Sequence, residues 1–371
     1  MPKSLVIIPT VRNPSVISDY AANIELHGFD KKSLHFLIVT EDNAEKSEYK
    51  RKLDESGLSG EIFGATERER FMGENGISEY LDIIPRKSHA ETSFGLIYLL
   101  IHREFEYGFF IDDDTKPVAE FDYFGGHLGN LSFKGEVDSA GSEKGWLNVL
   151  YQSFSRHGLY PRGYPYSVMG EKTSVSRIGV SEGSVFISHG LWTNVPDLDA
   201  IRILMDGDLN GQARTRLRRE DFTGNFVAEK GSFQTVCSMN LAFRREIIPA
   251  FYQMPMDDNP YRVGRFDDIW SGFVAKAVLD RTGGLIMNGY PLCEHNKAPR
   301  STFKDVASES PGYESNEFFA ETIRNTSFSS ADVQGLTEEI ADKLEKDGKT
   351  EFVRYCGKYL GRWTDLCEKK G

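Results

Sequence analysis

The chain has 371 residues and sets 44 Lys and Arg against 56 Asp and Glu, for a formal net charge of −12. That length carries one large α/β domain or two smaller ones with a sizeable core, which excludes a disordered polypeptide. An acidic surface of this kind lacks the basic stripe that nucleic acid requires and repels anionic lipid, so an anionic ligand needs a local site. The cysteines, Cys237, Cys293, Cys356 and Cys367, form no CxxC pair and fit reduced thiols, which points to a cytoplasmic protein. Met1 to Pro9 lacks the length and cleavage pattern of a signal peptide, and no stretch approaches the ~20 apolar residues of a membrane span.

Ser4 to Thr10 is a continuous apolar run closed by a turn signal, the pattern of a strand buried on both faces of a parallel sheet. A helix follows from Val16 to His27, then a second buried strand from Leu34 to Thr40 and a charged amphipathic helix from Glu45 to Leu58. The polar stretch to Gly76 carries no decisive pattern. Ala90 to Phe105 reads as a helix, with Phe94, Ile97, Tyr98 and Ile101 on one face. It leads into the apolar strand Tyr107 to Ile111, which stops abruptly at Asp112, Asp113 and Asp114. This β-α-β-α order implies a doubly wound sheet, which binds ligands at the carboxyl ends of its strands. Pro9-Thr10, Glu41-Asp42 and Asp112 to Asp114 all lie at such ends and are expected to converge on one crevice.

From Phe121 to Lys230 the sequence is rich in Gly and polar residues, as in long functional loops with some antiparallel pairing. Order returns at Ser238 to Tyr252, then in a helix from Phe266 to Arg281 that Gly283-Gly284 stops. Leu285 to Cys293 reads as a strand ending at Glu294-His295. A charged amphipathic tail from Leu336 to Lys370 reads as one or two helices. The simplest division is a catalytic domain over residues 1–300 and a helical C-terminal extension over 301–371.

Asp112-Asp113-Asp114 is the sharpest chemical feature. Three adjacent carboxylates repel one another, and a hard cation such as Mg2+ or Mn2+ offsets that repulsion while completing its shell with substrate phosphates. On an extended backbone Asp112 and Asp114 point one way and Asp113 the other. The competing reading is a solvated acidic turn; placement directly after a buried strand favours the site. In Tyr160 to Ser167, Pro161 and Gly163 bend the backbone around Arg162 and leave its guanidinium open to a ligand, unless the segment is a surface loop packed by its tyrosines. His189 and Trp192, in Ser188 to Asp197, form either a sugar platform or a packed turn. Asp267 and Asp268 lie in the first turn of a helix, where carboxylates also serve as caps. His295, at a strand end, is either a ligand or structural.

Taken together, Pro9 to Asn13, Ile111 to Asp114, Arg162 to Ser167, Ser188 to Trp192, Met239 to Phe243 and Gly264 to Trp270 resemble, in the same order, the motifs of the reversibly glycosylated polypeptides. These are the plant UDP-arabinopyranose mutases and their relatives, and the resemblance runs from Ser4 to Lys297. It implies a GT-A-like doubly wound mixed sheet flanked by helices. It further implies a UDP-sugar held through Mn2+ or Mg2+ by the triple-Asp segment, with Asp112 and Asp114 in the ribose and metal roles and His295 as a second protein ligand. Pro9, Thr10, Arg12, Glu41, Asp42, Lys87 and Asp113 then line the nucleotide pocket. Arg162 takes the place of the arginine that is reversibly glycosylated, and Asp267 and Asp268 face the transferred sugar. Val168 to Ile187 is longer than the plant spacing and is expected beside the sugar pocket.

Three functions follow. The leading one is a metal-dependent UDP-sugar enzyme that interconverts pyranose and furanose forms, glycosylates itself on Arg162, or does both. The alternative is a conventional glycosyltransferase acting on a glycan or a small molecule, and the third is a silent scaffold in a homo- or hetero-oligomer.

Overall fold

The computed structural model describes residues 3–11, 13–155 and 158–371. Arg12, assigned above to the nucleotide pocket, lies outside the described residues. The strands are β1 (Lys3–Pro9), β2 (Leu34–Val39), β3 (Ser59–Phe63), β4 (Phe105–Ile111), β5 (Thr115–Pro117), β6 (Gly135–Gly141), β7 (Trp146–Leu147), β8 (Ser174–Val180), β9 (Val185–Asn194), β10 (Phe226–Ala228), β11 (Phe233–Gln234), β12 (Asn240–Arg244) and β13 (Leu285–His295). The helices are α1 (Ser15–His27), α2 (Lys46–Glu55), α3 (Ala65–Glu74), α4 (Ser93–Ile101), α5 (Tyr123–Leu131), α6 (Val149–Phe154), α7 (Ala200–Asp206), α8 (Asp267–Thr282), α9 (Thr302–Arg324), α10 (Val333–Asp347) and α11 (Glu351–Lys370).

Eleven strands form one mixed sheet in the order β3-β2-β1-β4-β12-β9-β13-β10-β6-β8, with β5 paired to β13. The doubly wound α/β architecture expected from the sequence is present. Continuous apolar runs make the central strands because each strand must fill two layers at once. In β1, Leu5 and Ile7 join the core under α4 and α8, whereas Val6 and Ile8 join the core under α1 and α5.

Pairing direction brings the chemistry to one edge. β1, β2 and β4 run parallel, β12 is antiparallel to β4, and β9 is antiparallel to β12. Two reversals restore the first direction, and β13 runs parallel to β9. The carboxyl ends of β1, β4, β9 and β13 therefore open on the same side. β5 then folds back antiparallel on β13 with Thr115 opposite His295, which places His295 beside the triple-Asp segment.

Boundaries differ where tertiary contacts override pattern. The helix expected over Ala90 to Phe105 is a 3-10 turn at His89–Thr92 followed by α4, because Phe105 is already paired with Lys3. β3 escapes a periodicity reading because it is a largely polar strand paired only with β2. α9 lies inside the helical extension expected over 301–371 but shows no helical period of its own; it carries Pro311 and buries Asp305, Glu309, Ser315 and Asn316, so its covered face is not an apolar stripe.

The C-terminal helices share the core of α8. Trp270 stacks on Phe319 with ring centroids 4.2 Å apart and donates to Asn316 Oδ1 at 2.9 Å. Trp363 donates to the carbonyls of Ile248 and Pro249 at 3.2 and 3.1 Å. Val168 to Ile187, expected beside the sugar, instead supplies β8 on the outer edge of β6 and the start of β9. None of these residues lines the cavity described below.

Trp270 ties the helix that opens at Asp267-Asp268 to α9. Trp270→Ala is expected to lower unfolding stability by about 3–5 kcal/mol, read as a shift in the urea midpoint with little change in slope.

Candidate active site

A cavity of about 640 Å3 opens at the carboxyl ends of the strands. Pro9, Thr10, Glu41, Lys87, Asp112, Asp113, Asp114, Arg162, Asp267, Asp268 and His295 all line it. Thus most of the sequence-predicted residues meet. The strand-end rule located them because parallel strands carry their loops, and their ligand-binding groups, to one edge.

A turn, in place of the extended backbone expected from the sequence, separates the three aspartates: the Thr115 amide donates to the Asp112 carbonyl at 3.2 Å. Asp113 turns back, is buried, and accepts from Thr10 Oγ1 at 2.7 Å. Asp114 faces His295, whose Nε2 lies 3.7 Å from Asp114 Oδ2. His295 Nδ1 donates to the Val195 carbonyl at 2.7 Å, which orients the ring and leaves Nε2 turned to Asp114. An imidazole fixed from behind by a carbonyl is the arrangement that metal-binding histidines use. Among the described residues no group of three or more His, Cys, Asp or Glu is gathered to hold a metal by protein ligands alone. The Asp114–His295 pair suits a hard cation that takes its remaining oxygens from a diphosphate and water.

Asp112 has a partner that the sequence reading missed. His89 Nε2 lies 2.9 Å from Asp112 Oδ1, and its Nδ1 lies 2.7 Å from Asp267 Oδ2. Burial opposes a charge on this ring, yet the two carboxylates hold its pKa well above the usual histidine range. The signal was a histidine just upstream of a helix that leads to the acidic strand end.

Arg162 is buried between two further carboxylates. Its Nη2 lies 3.0 Å from Asp197 Oδ2, its Nη1 lies 3.3 Å from Asp268 Oδ1, and Nη1 also donates to the Arg265 carbonyl. Burial opposes this guanidinium, and Asp197 and Asp268 outweigh it, so its pKa is raised further. Gly163 has φ +85°, and a Cβ there would collide with Ile269. The bend predicted after Arg162 is what lets this segment press against α8.

Asp267 and Asp268 thus diverge from neighbouring positions. Burial raises the pKa of both. At Asp267 the His89 charge wins and the carboxyl is held low; at Asp268 burial, with Asp267 next door, outweighs Arg162 and raises it. Asp197 is held low, because Arg162, helped by Lys297, outweighs burial. The result is two alternating rows, Asp112–His89–Asp267 and Asp268–Arg162–Asp197. Asp197, like His89, was not singled out from the sequence.

Glu41 accepts from the Lys87 amide at 2.8 Å, and Lys87 adopts φ 54° to make that contact. Asp42 corrects the expectation that it lines the nucleotide pocket. Its carboxylate accepts from the Thr66 amide and hydroxyl at 3.1 and 2.9 Å and anchors α3, outside the cavity.

His189 and Trp192 also correct the sugar-platform reading. β9 is an interior strand between β12 and β13; His189 is 0% and Trp192 1% exposed, and neither lines the cavity. His189 Nδ1 donates to Asn288 Oδ1 at 2.8 Å and its Nε2 accepts from the Cys237 amide at 3.1 Å. It thereby holds the cavity-lining segment that includes Cys237 and Met239.

The family model for the reversibly glycosylated polypeptides matches residues 17–365. The chain belongs to that family, and the match extends through the C-terminal helices. Probable UDP-arabinopyranose mutase 1 of Pisum sativum is 30% identical over 300 residues, 79% of this chain and 70% of that protein. UDP-arabinopyranose mutase 1 of Arabidopsis thaliana is 28% identical over 303 residues, 79% of this chain and 71% of that protein. Among solved structures, the mannosyltransferase PcManGT from Pyrobaculum calidifontis, in complex with GDP-Man and Mn2+, is similar at 14% identity with a TM-score of 0.41. That similarity covers 100% of this chain and 74% of the other.

Burial lowers the pKa of His189 to about 4 and that of His127 to about 3. In the unfolded chain each ring takes up a proton near pH 6.5, so the unfolded state binds more protons and stability falls as pH drops below that value. Each ring contributes about 1.4 kcal/mol per pH unit until its folded-state value is reached. The stability deficit of His189→Gln relative to wild type should therefore shrink by that slope between about pH 6 and pH 4.5. Urea unfolding at several pH values measures it, and a constant deficit would contradict the buried neutral ring.

Proposed function

We propose that this protein is a divalent-cation-dependent UDP-sugar mutase of the UDP-arabinopyranose type that works through transient glycosylation of Arg162. The observation that carries this reading is the Arg162 guanidinium, clamped between Asp197 and Asp268 in the wall of the cavity that also contains Asp114 and His295. The curated relatives named as UDP-arabinopyranose mutases support the sugar.

In this reading the strand-end residues Pro9, Thr10, Glu41 and Lys87 hold the nucleoside, in the manner of a GT-A enzyme. Asp114 and His295 would hold Mn2+ or Mg2+, which would supply neutralisation of charge on the diphosphate leaving group. The bond from the anomeric carbon to the β-phosphate oxygen breaks, and its electron pair leaves with UDP. Asp267 and Asp268 face the positive charge that develops on the sugar.

A guanidinium is a poor nucleophile, so the forming bond must be coupled to loss of a proton. Asp268, with its raised pKa, accepts that proton as the guanidine nitrogen bonds to the anomeric carbon. Asp197 keeps the remaining charge in place. Asp268 then returns the proton to the ring oxygen as the ring opens on the arginine, and accepts one from the hydroxyl that closes the other ring. Attack by the β-phosphate oxygen, with the proton going back to the guanidine nitrogen, restores a UDP-sugar and Arg162.

No helix among the described residues is long and apolar enough to cross a membrane. Placement in the cytoplasm is part of this proposal and is supported by four unbridged, buried thiols.

Incubation with UDP-arabinopyranose and Mn2+ should yield the furanose isomer and a sugar adduct on the Arg162 peptide. Arg162→Lys should remove the adduct and lower turnover by about 10³-fold or more, with UDP affinity nearly unchanged. Absence of both isomer and adduct with every UDP-sugar tried would overturn the proposal. Turnover that requires an external acceptor and survives Arg162→Lys would indicate a conventional transferase instead.

A further inference from the structure

Lys297 takes no part in the steps above. It lies two residues beyond His295 and is 8% exposed; it lines the cavity, and its Nζ has no hydrogen-bond partner among the described residues. Its backbone is tied down, since the Lys297 carbonyl accepts from Gln212 Nε2 at 2.9 Å. An ammonium removed from water without an acceptor is costly, and in a cavity wall the missing acceptor is a ligand's. Two guanidinium side chains line the same cavity beside it. Arg265 is held by Glu309, and Arg300 donates through Nε to Asp305 Oδ1 at 2.9 Å. The charged groups around the ammonium are Arg265 and Arg300 of its own sign and Asp197 and Glu309 of the opposite sign. Neither carboxylate hydrogen-bonds to it: Asp197 is engaged by Arg162, and Glu309 by Arg265 and the Ala200 amide.

We propose that Lys297, flanked by Arg265 and Arg300, forms an anion subsite for the diphosphate group and holds it independently of any cation. Planar guanidinium groups and a point-charge ammonium match phosphate oxygens on several sides. The subsite adjoins Arg162 through Asp197, which pairs with Arg162 at 3.0 Å and supports the Lys297 charge. In the mutase reading, on which this role rests, UDP must stay bound while the sugar is on Arg162, because the same UDP takes the sugar back. Lys297 retains the leaving group through that interval.

The test is calorimetric titration of the full chain with inorganic pyrophosphate, UDP and uridine, each in excess chelator. Wild type should bind pyrophosphate without added cation. Lys297→Met should weaken pyrophosphate and UDP at least tenfold and leave uridine unchanged, whereas Lys297→Arg should restore most of the loss. Arg300→Gln, at a more exposed position, provides a second variant should Lys297→Met fold poorly; a several-fold loss for pyrophosphate is expected. Wild-type protein that ignores pyrophosphate in chelator, or variants that bind it as wild type does, would overturn the subsite. Pyrophosphate binding that depends on Lys297 in a protein that ignores UDP and UDP-sugars even when Mn2+ replaces the chelator would uphold the subsite and remove the UDP-sugar reading.

Discussion

Two adjacent carboxylates, Asp267 and Asp268, begin α8 inside the protein, at 3% and 5% exposure. Buried neighbours of like charge drive each other toward protonation unless each has its own cation. The rest of the site is arranged around that requirement. His89 meets Asp267 from the segment before α4, and Arg162 meets Asp268 from the segment before β8. Each cation is then shared with a second carboxylate, Asp112 on the β4 end and Asp197 after β9. The helix N-terminus adds favourable potential for both acids. α8 is in turn fixed by packing, with Trp270 against α9 and Phe273 and Val274 in the core.

This arrangement assigns different work to two acids that sequence alone treats as equivalent. Asp267 is locked into an ion pair with His89 and stays a fixed charge in the cavity wall. Asp268 sits with a raised pKa against a guanidinium, the combination on which the proposed proton exchange at Arg162 rests. Their divergence requires no difference in burial. It comes from the different directions, about 100° apart around the axis, in which consecutive side chains leave a helix start and from what each one meets.

The sequence carried the strand ends clearly, because a strand buried on both faces has to be apolar and a hydrophilic stop is conspicuous against it. Pro9, Thr10, Glu41 and the three aspartates were legible for that reason, and His295 because its strand ends in the same way. His189 and Trp192 were misread because a polar residue in an interior strand looks like a site until its neighbours are known; Asn288 and the Cys237 amide satisfy it in the core. His89, Asp197 and Lys297 were illegible for a related reason. Their meaning lies in partners between 23 and 178 residues away, or, for Lys297, in having no hydrogen-bond partner among the described residues. α9 hid its helical character by burying polar residues against the site, where Glu309 serves Arg265 and Tyr313.

The segment that departs most from the plant spacing, 168–187, builds the outer strand β8 and leaves the cavity untouched, so it gives no reason to expect a different sugar. The better place to look is the loop from Asp257 to Arg265. Asp257, Arg262 and Arg265 are all non-glycine residues with positive φ, at 65°, 59° and 68°. Such conformations persist only where the surroundings enforce them. Here Asp257 accepts from Ser88 at 3.0 Å, beside His89, while the Arg265 carbonyl receives Arg162. One strained loop therefore touches both ionic rows and supplies a cavity-facing carboxylate that the proposed chemistry leaves unassigned. That carboxylate belongs to the cavity wall, whereas no residue of the β8 edge does.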